Sequence, residues 1–270
     1  MGKSCRAIDR CELMKSERIL CPAKLTLSLQ IKGQRDDGFH FIDAEMVSID
    51  LFDELFLGAG SGFIIRGQKA GLDIPIDDNN LVNKALAFVG KSAKVEIDKQ
   101  IPAGAGLGGG STNAAGILRW AGFKDSVAAA ELGSDVSFCL AGGRARVTGV
   151  GELVEPLPYL EKELTLLVPP IGVSTPRVYE EWDAMGSPKG GNGNDLEPAA
   201  LRVEPRLADW RDALTEFTGK PARLAGSGGT WFVEGTYEKF VYRGASSITC
   251  LLYTSPSPRD RTRSRMPSSA

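Results

Sequence analysis

A single histidine, His40, occurs in the 270 residues, so a zinc centre built from several imidazoles is excluded. The five cysteines, Cys5, Cys11, Cys21, Cys139 and Cys250, include no C-x-x-C pair, and no structural metal is expected. Their odd number, in a chain too long to need covalent staples, fits a reduced, cytoplasmic protein and not a secreted disulfide scaffold. Charge of one sign is missing too. Lys plus Arg number 32 against 34 Asp plus Glu, a net charge of -2, which gives no footprint for nucleic acid or an anionic membrane. No apolar run approaches the roughly 20 residues that span a bilayer, and MGKSCRAIDRCELMKSE at the N-terminus holds no apolar signal core. Small molecules are the partners left to expect.

Glycine is what the chain has in excess, 32 residues against a usual share of ~7%. Residues 1–17 are polar and aperiodic and read as a disordered or non-native extension. From Ile19 onward, Leu25, Leu27, Leu29 and Ile31 alternate with Lys24, Thr26, Ser28 and Gln30, the period of a half-buried strand whose polar face carries Lys24 and Thr26. Asp36-Asp37-Gly38 makes a turn, Val47, Ile49 and Leu51 resume the alternation, and short strands follow near Glu54–Leu57, Phe63–Arg66 and Lys94–Asp98. Asp77-Asp78 is placed to cap a helix through Leu81, Ala85 and Phe88. Helices are expected from Asp125, from STPRVYEEWDAM and over Leu207–Phe217, with GSPKGGNGND as a flexible loop between the last two. Residues 249–270 are Ser, Pro and Arg rich and resemble translated vector sequence, so they read as a disordered tail. The expectation is an α+β chain with an N-terminal domain over 18–160 and a smaller C-terminal domain over 161–248.

Five glycines in Gly104–Gly110 run directly into a helix that opens Ser111, Thr112, Asn113. Such a loop lets a ligand approach the backbone and aims free N–H groups and the positive helix end at an anion. A mobile linker is the competing reading. A Walker loop requires Lys where Gly110 stands. A dinucleotide fingerprint matches Gly104, Gly106 and Gly109, yet Pro102 interrupts the entry and Asp125 opens a helix instead of closing a strand.

IPAGAGLGGGSTNAA resembles the nucleotide loop of the GHMP kinases. Three further blocks agree in order: PAKLTLSLQIKGQRDDGFH at 22–40, LGSDVSFCLAGGRARVTGVGE at 132–152 and ARLAGSGGTWF at 222–232, so the resemblance covers roughly 18–240. It implies a two-domain α+β GHMP fold, β-rich in the N-terminal domain and ferredoxin-like in the smaller C-terminal one. It also implies ATP and Mg²⁺ as cofactors and phosphorylation of a small-molecule alcohol by a monomer or weak homodimer. Lys24 and Asp135 match the family's catalytic pair across the acceptor hydroxyl. Pro102, Gly104, Gly106, Leu107, Gly108, Gly109, Gly110, Ser111 and Thr112 match its phosphate site, with Ser111 a candidate Mg²⁺ ligand and Asn80 near the adenine. Thr26 matches an acceptor contact, and Phe39, His40 and Tyr179 match the residues that hold a cytosine in the branch whose acceptor carries one. By residue type alone, Asp135, Asn80, Ser111 and Thr112 read equally as caps, Lys24 as a solvated strand residue, His40 as a turn residue and Tyr179 as core. Two departures stand out: the family commonly has Asn at Thr26 and Tyr at Phe39. A homoserine- or mevalonate-type kinase, or a non-catalytic nucleotide binder, remain the alternatives.

Overall fold

The computed structural model describes residues 17–67 and 79–253. Of the expected extension over 1–17, residues 1–16 lie outside the described residues, as do the Asp77-Asp78 cap and the tail beyond Tyr253, while Glu17 is the first residue of a strand. Two long strands, β1 (Glu17–Gln34) and β2 (His40–Gly58), pair antiparallel from Glu17 opposite Leu57 to Gln34 opposite His40. The short strand expected at Glu54–Leu57 is the far end of β2. Register shifts at Pro22/Ala23 and Thr26/Ser28 bend β1, as bulges do. Residues from Cys21 to Leu27 are buried on both faces, so Lys24 and Thr26 are 7% and 1% exposed, not on a solvated face as the alternation suggests.

Next come β3 (Gly62–Arg66), α1 (Leu81–Phe88) and β4 (Lys94–Asp98), then α2 (Gly109–Trp120), α3 (Ser126–Ala129) and α4 (Ser134–Ala141), then β5 (Arg144–Gly149) and β6 (Leu153–Pro156). The cap of α1 is Asn80, whose Oδ1 accepts from the Val82 amide at 2.9 Å. One flank of β2 serves two partners, with Ile42–Val47 against β5 and Glu54–Gly58 against β4. β3 joins β4 in parallel and β6 joins β5, completing a six-stranded sheet. Apolar stripes of the helices, among them Val82, Ala114, Ile117, Leu118 and Phe138, share one core with Leu29, Leu55 and Val95 of the sheet.

The rest of the chain forms β7 (Glu163–Leu167), α5 (Thr175–Ala184), α6 (Glu197–Val203), α7 (Leu207–Thr218), β8 (Arg223–Leu224), β9 (Trp231–Glu234), a hairpin of β10 (Val241–Tyr242) and β11 (Ala245–Ser246), and β12 (Ile248–Leu251). An antiparallel sheet in the order β12-β7-β9-β8 results. β12 corrects the expectation that the tail begins at residue 249. Cys250 lies opposite Leu164, and Cys250 and Leu252 are buried. The inward alternation of Ile248, Cys250 and Leu252 is a short strand signal masked by the Ser, Pro and Arg composition that follows it. These residues join Ala23, Leu25, Leu27 and Ile49 in a second core, which wedges the Lys24 segment of β1 between the two sheets. The loop GSPKGGNGND is tied down as well, because the Leu29 amide donates to Gly193 O and the Asp195 amide to Leu29 O, both at 2.9 Å.

Candidate active site

The glycine loop leaves the sheet just after β4. Asp53, fully buried, fixes that exit: its carboxylate accepts from the amides of Gln100 and Ile101 at 2.8 Å each and pairs with the buried Lys99 ammonium. The loop ends at Gly108, the N-cap of α2, with φ of 68° and no side-chain cap. First-turn amides of α2 are therefore open to an anion. A cavity of about 250 Å³ is lined by Asn80, Lys99, Pro102, the run Ala103 to Gly110 and Asn113. That set holds every expected phosphate-site residue through Gly110, and Asn80.

Ser111 and Thr112 are not in that lining. Thr112 is fully buried, and its Oγ1 has no hydrogen-bond partner. The helical phase explains this, since Thr112 shares a stripe with the buried Ala115 and Gly116. Ser111 stays half-buried at the helix start. Among the described residues no group of three or more His, Cys, Asp or Glu could hold a metal ion. A lone hydroxyl beside an anion loop fits a cation that brings most of its oxygen ligands with the nucleotide.

The loop leans on both sides of the molecule. Leu107 O accepts the Lys24 amide at 3.0 Å, and Ala105 O accepts Thr230 Oγ1 at 2.7 Å. A Cβ on Gly106, whose φ is +81°, would lie 2.6 Å from Gly228 Cα. Backbone thus meets backbone between the two glycine motifs.

A second cavity, about 550 Å³, is lined by Lys24, Thr26, Phe39, His40, Asp135, Tyr179 and Ser227, among others. Lys24 Nζ lies 3.1 Å from Asp135 Oδ2 and 3.4 Å from Thr26 Oγ1. Asp135 is not the cap of α4; Gly133 is, and Asp135 in the first turn turns its carboxylate to Lys24. His40 Nε2 lies 2.9 Å from Asp183 Oδ1, and its ring stacks on Tyr179 at 4.9 Å and 27°. The carboxylate accepts, so Nε2 is the donor of this pair. Burial, with the Asp135 charge adding, pushes the Tyr179 phenol well above its usual range and keeps it a neutral donor. Phe39 stands at the mouth, 59% exposed under the Arg35 guanidinium.

The structure therefore brings Lys24, Thr26 and Asp135 together, and His40 with Tyr179, while Phe39 remains at the rim. Sequence reasoning missed Asp183, although its spacing of four from Tyr179 places both on one face of α5. It also missed Ser227, whose Oγ lies 2.8 Å from Thr175 Oγ1, and the Asp53–Lys99 pair, whose partners carry no local signal of each other.

The model of the GHMP kinases N terminal domain matches residues 80–143. The 4-diphosphocytidyl-2-C-methyl-D-erythritol kinase of Paracoccus denitrificans is 33% identical over 234 residues, covering 80% of this chain and 85% of that protein. The enzyme of that name from Listeria monocytogenes serotype 4a is 33% identical over 265 residues, covering 84% and 91%. A crystal structure of 4-(cytidine 5'-diphospho)-2C-methyl-D-erythritol kinase superposes with a TM-score of 0.68 at 26% identity, over 88% of this chain and all of that one. A homoserine kinase from Cytophaga hutchinsonii shares the fold, with a TM-score of 0.56 at 17% identity over 94% of this chain and 98% of that one.

Proposed function

The chain belongs to the GHMP kinases, in the family of the 4-diphosphocytidyl-2-C-methyl-D-erythritol kinases, and from that membership we propose how its residues carry out the reaction. It is an ATP-dependent kinase that phosphorylates the 2-hydroxyl of 4-diphosphocytidyl-2-C-methyl-D-erythritol. The observation that carries the assignment of roles is the 3.1 Å contact of Lys24 with Asp135 inside the larger cavity, with the glycine loop bonded to the Lys24 backbone.

In this reading the loop from Pro102 to Gly110 and the first turn of α2 cradle the phosphates of ATP, and Asn80 borders the base. Ser111 would be the protein ligand of a Mg²⁺ brought with the nucleotide, and the ion would supply neutralisation of phosphate charge. Asp135 accepts or orients the proton of the acceptor hydroxyl, so that its oxygen attacks the terminal phosphorus in line while ADP departs. Lys24 holds the Asp135 carboxylate in place and offsets negative charge on the transferring group. Thr26 contacts the acceptor alcohol through a hydroxyl shorter than the family's usual amide. His40, with Tyr179 and Phe39, binds the cytosine, the rings by stacking and the imidazole by hydrogen bonding. The chain divides between residues 160 and 161 into two units, the first beginning with β1 and the second running through β12, and it works in the cytoplasm as a monomer or weak homodimer.

A coupled ADP-release assay with ATP and Mg²⁺ tests the reading against 4-diphosphocytidyl-2-C-methyl-D-erythritol, homoserine and mevalonate in parallel. Turnover is expected with the first alone. Turnover only with one of the other two overturns the substrate assignment.

A further inference from the structure

Between α5 and α6 the chain runs through Gly-Asn-Gly-Asn-Asp, a composition that signals a loose loop. One side chain in it is 3% exposed and nearly saturated with hydrogen bonds. Asn194 Nδ2 donates to Leu224 O at 2.9 Å and to Gly226 O at 2.7 Å, while its Oδ1 accepts the Leu196 amide at 3.0 Å. Both N–H groups and one lone pair of the amide are thereby used. The two carbonyls belong to the entrance of the C-terminal glycine motif.

That motif lines one cavity and packs against the wall of the other. Gly226 and Ser227 line the larger one, and a Cβ on Gly226 would lie 3.3 Å from Thr26 Oγ1 and 3.9 Å from Lys24 Nζ. Two residues on, Gly228 packs against the backbone of Gly106 in the nucleotide loop. The residues on either side of Asn194 are bonded to β1, the strand that carries Lys24 and Thr26, by backbone through the Gly193 and Asp195 bonds to Leu29 and by side chain through Asp195 Oδ2, which accepts the Ile31 amide at 2.9 Å. One amide thus joins the strand bearing Lys24 and Thr26 to the glycine motif that packs against the nucleotide loop.

We propose that Asn194 is a positioning residue for phosphoryl transfer: it sets the distance and angle between the acceptor side and the nucleotide side by holding Leu224 and Gly226 against β1. It touches neither substrate. The proposal rests on the kinase reading of this site. An in-line displacement is sensitive to this geometry, since a misplacement of about 1 Å lowers a rate on the order of 10²-fold. Slow hydrolysis of ATP by water needs no placed acceptor and is therefore less sensitive to this spacing.

The test is a series of Asn194→Ser, Asn194→Ala and Asn194→Asp in the full chain, with Asn192→Ala as the neighbouring control. Each is assayed well below its Tm, with rates expressed per folded molecule from circular dichroism. Two rates are compared, phosphoryl transfer to the acceptor and ATP hydrolysis without it. Asn194→Ala is expected to lower kcat for transfer about 10- to 100-fold, with the KM for ATP and the hydrolysis rate within about twofold of the wild type. Asn194→Asp keeps the acceptor for Leu196 but loses both donors, so it should match or exceed that loss. Asn194→Ser, which keeps one donor, should fall between, and the control should behave as the wild type. Transfer and hydrolysis falling together, or transfer unchanged in Asn194→Asp, overturns the proposal. Failure of the wild type to phosphorylate 4-diphosphocytidyl-2-C-methyl-D-erythritol overturns the substrate reading instead, and the series is then read on whichever alcohol of the panel it does phosphorylate.

Discussion

Lys24 and Asp135 meet at 3.1 Å, although one lies in the second register of a bulged strand and the other in the first turn of a helix more than a hundred residues later. The Lys24 stem runs beneath the nucleotide loop, where a Cβ on Gly108 would lie 2.6 Å from its Cγ. The ammonium is enclosed, with 8% of the side chain exposed, so it is held between the phosphate site and the carboxylate.

Replacing that ammonium without changing the bulk of its stem isolates its charge. Lys24→Met is expected to lower kcat about 10²- to 10³-fold, the scale of losing one placed electrostatic partner of a transition state. Nucleotide affinity, measured by titration with a fluorescent ATP analogue, should change by less than about threefold, because the loop's own amides remain.

Gly106→Ala should separate the two glycine motifs. Gly106 and Gly60 both have positive φ, +81° and +100°, but a Cβ on Gly60 meets nothing within 4 Å. Each substitution carries a conformational cost of roughly 1–2 kcal/mol, read as a lower Tm. Only Gly106→Ala should also raise the KM for ATP, by about tenfold or more, since only there does the new methyl displace Gly228.

The anion loop was legible from residue order alone, and the reason is local: a glycine run feeding a helix carries its signal within a few positions. Lys24 and Asp135 were legible only through the family resemblance, because by residue type alone they read as a solvated strand residue and a helix cap. Burial was not legible. Lys24 and Thr26 read as a solvated face because nothing in the alternation of β1 shows that a second sheet covers it. The loop holding Asn194 read as flexible because glycine-rich composition hides side-chain bonds made to carbonyls thirty residues on. β12 was lost to the composition of the segment after it, and Thr112 was counted toward the phosphates because a helix start was visible but its phase against the sheet was not.

Acid should loosen the contact between β1 and the loop after α5. Burial alone would raise Asp195, but the Lys189 ammonium and the amides of Ile31 and Gly190 outweigh it and hold the carboxyl below its ordinary 3.8. A depressed folded value means that this stabilisation is complete above pH 3.8 and is lost as pH falls below it, where the folded state must take up a proton the unfolded chain already holds. Asp195→Asn should be less stable than the wild type at pH 7, and its stability should fall less steeply on going into acid. Urea unfolding monitored by tryptophan fluorescence at several pH values reads both effects, and parallel acid limbs would contradict the assignment.

The most direct measurement is single-turnover phosphoryl transfer by Asp135→Asn alongside equilibrium binding of ATP. If Asp135 receives or orients the proton of the acceptor hydroxyl, the amide keeps the shape of the site, ATP binds as in the wild type, and the transfer step slows by about 10²- to 10⁴-fold. Transfer at the wild-type rate with ATP still bound would contradict the account.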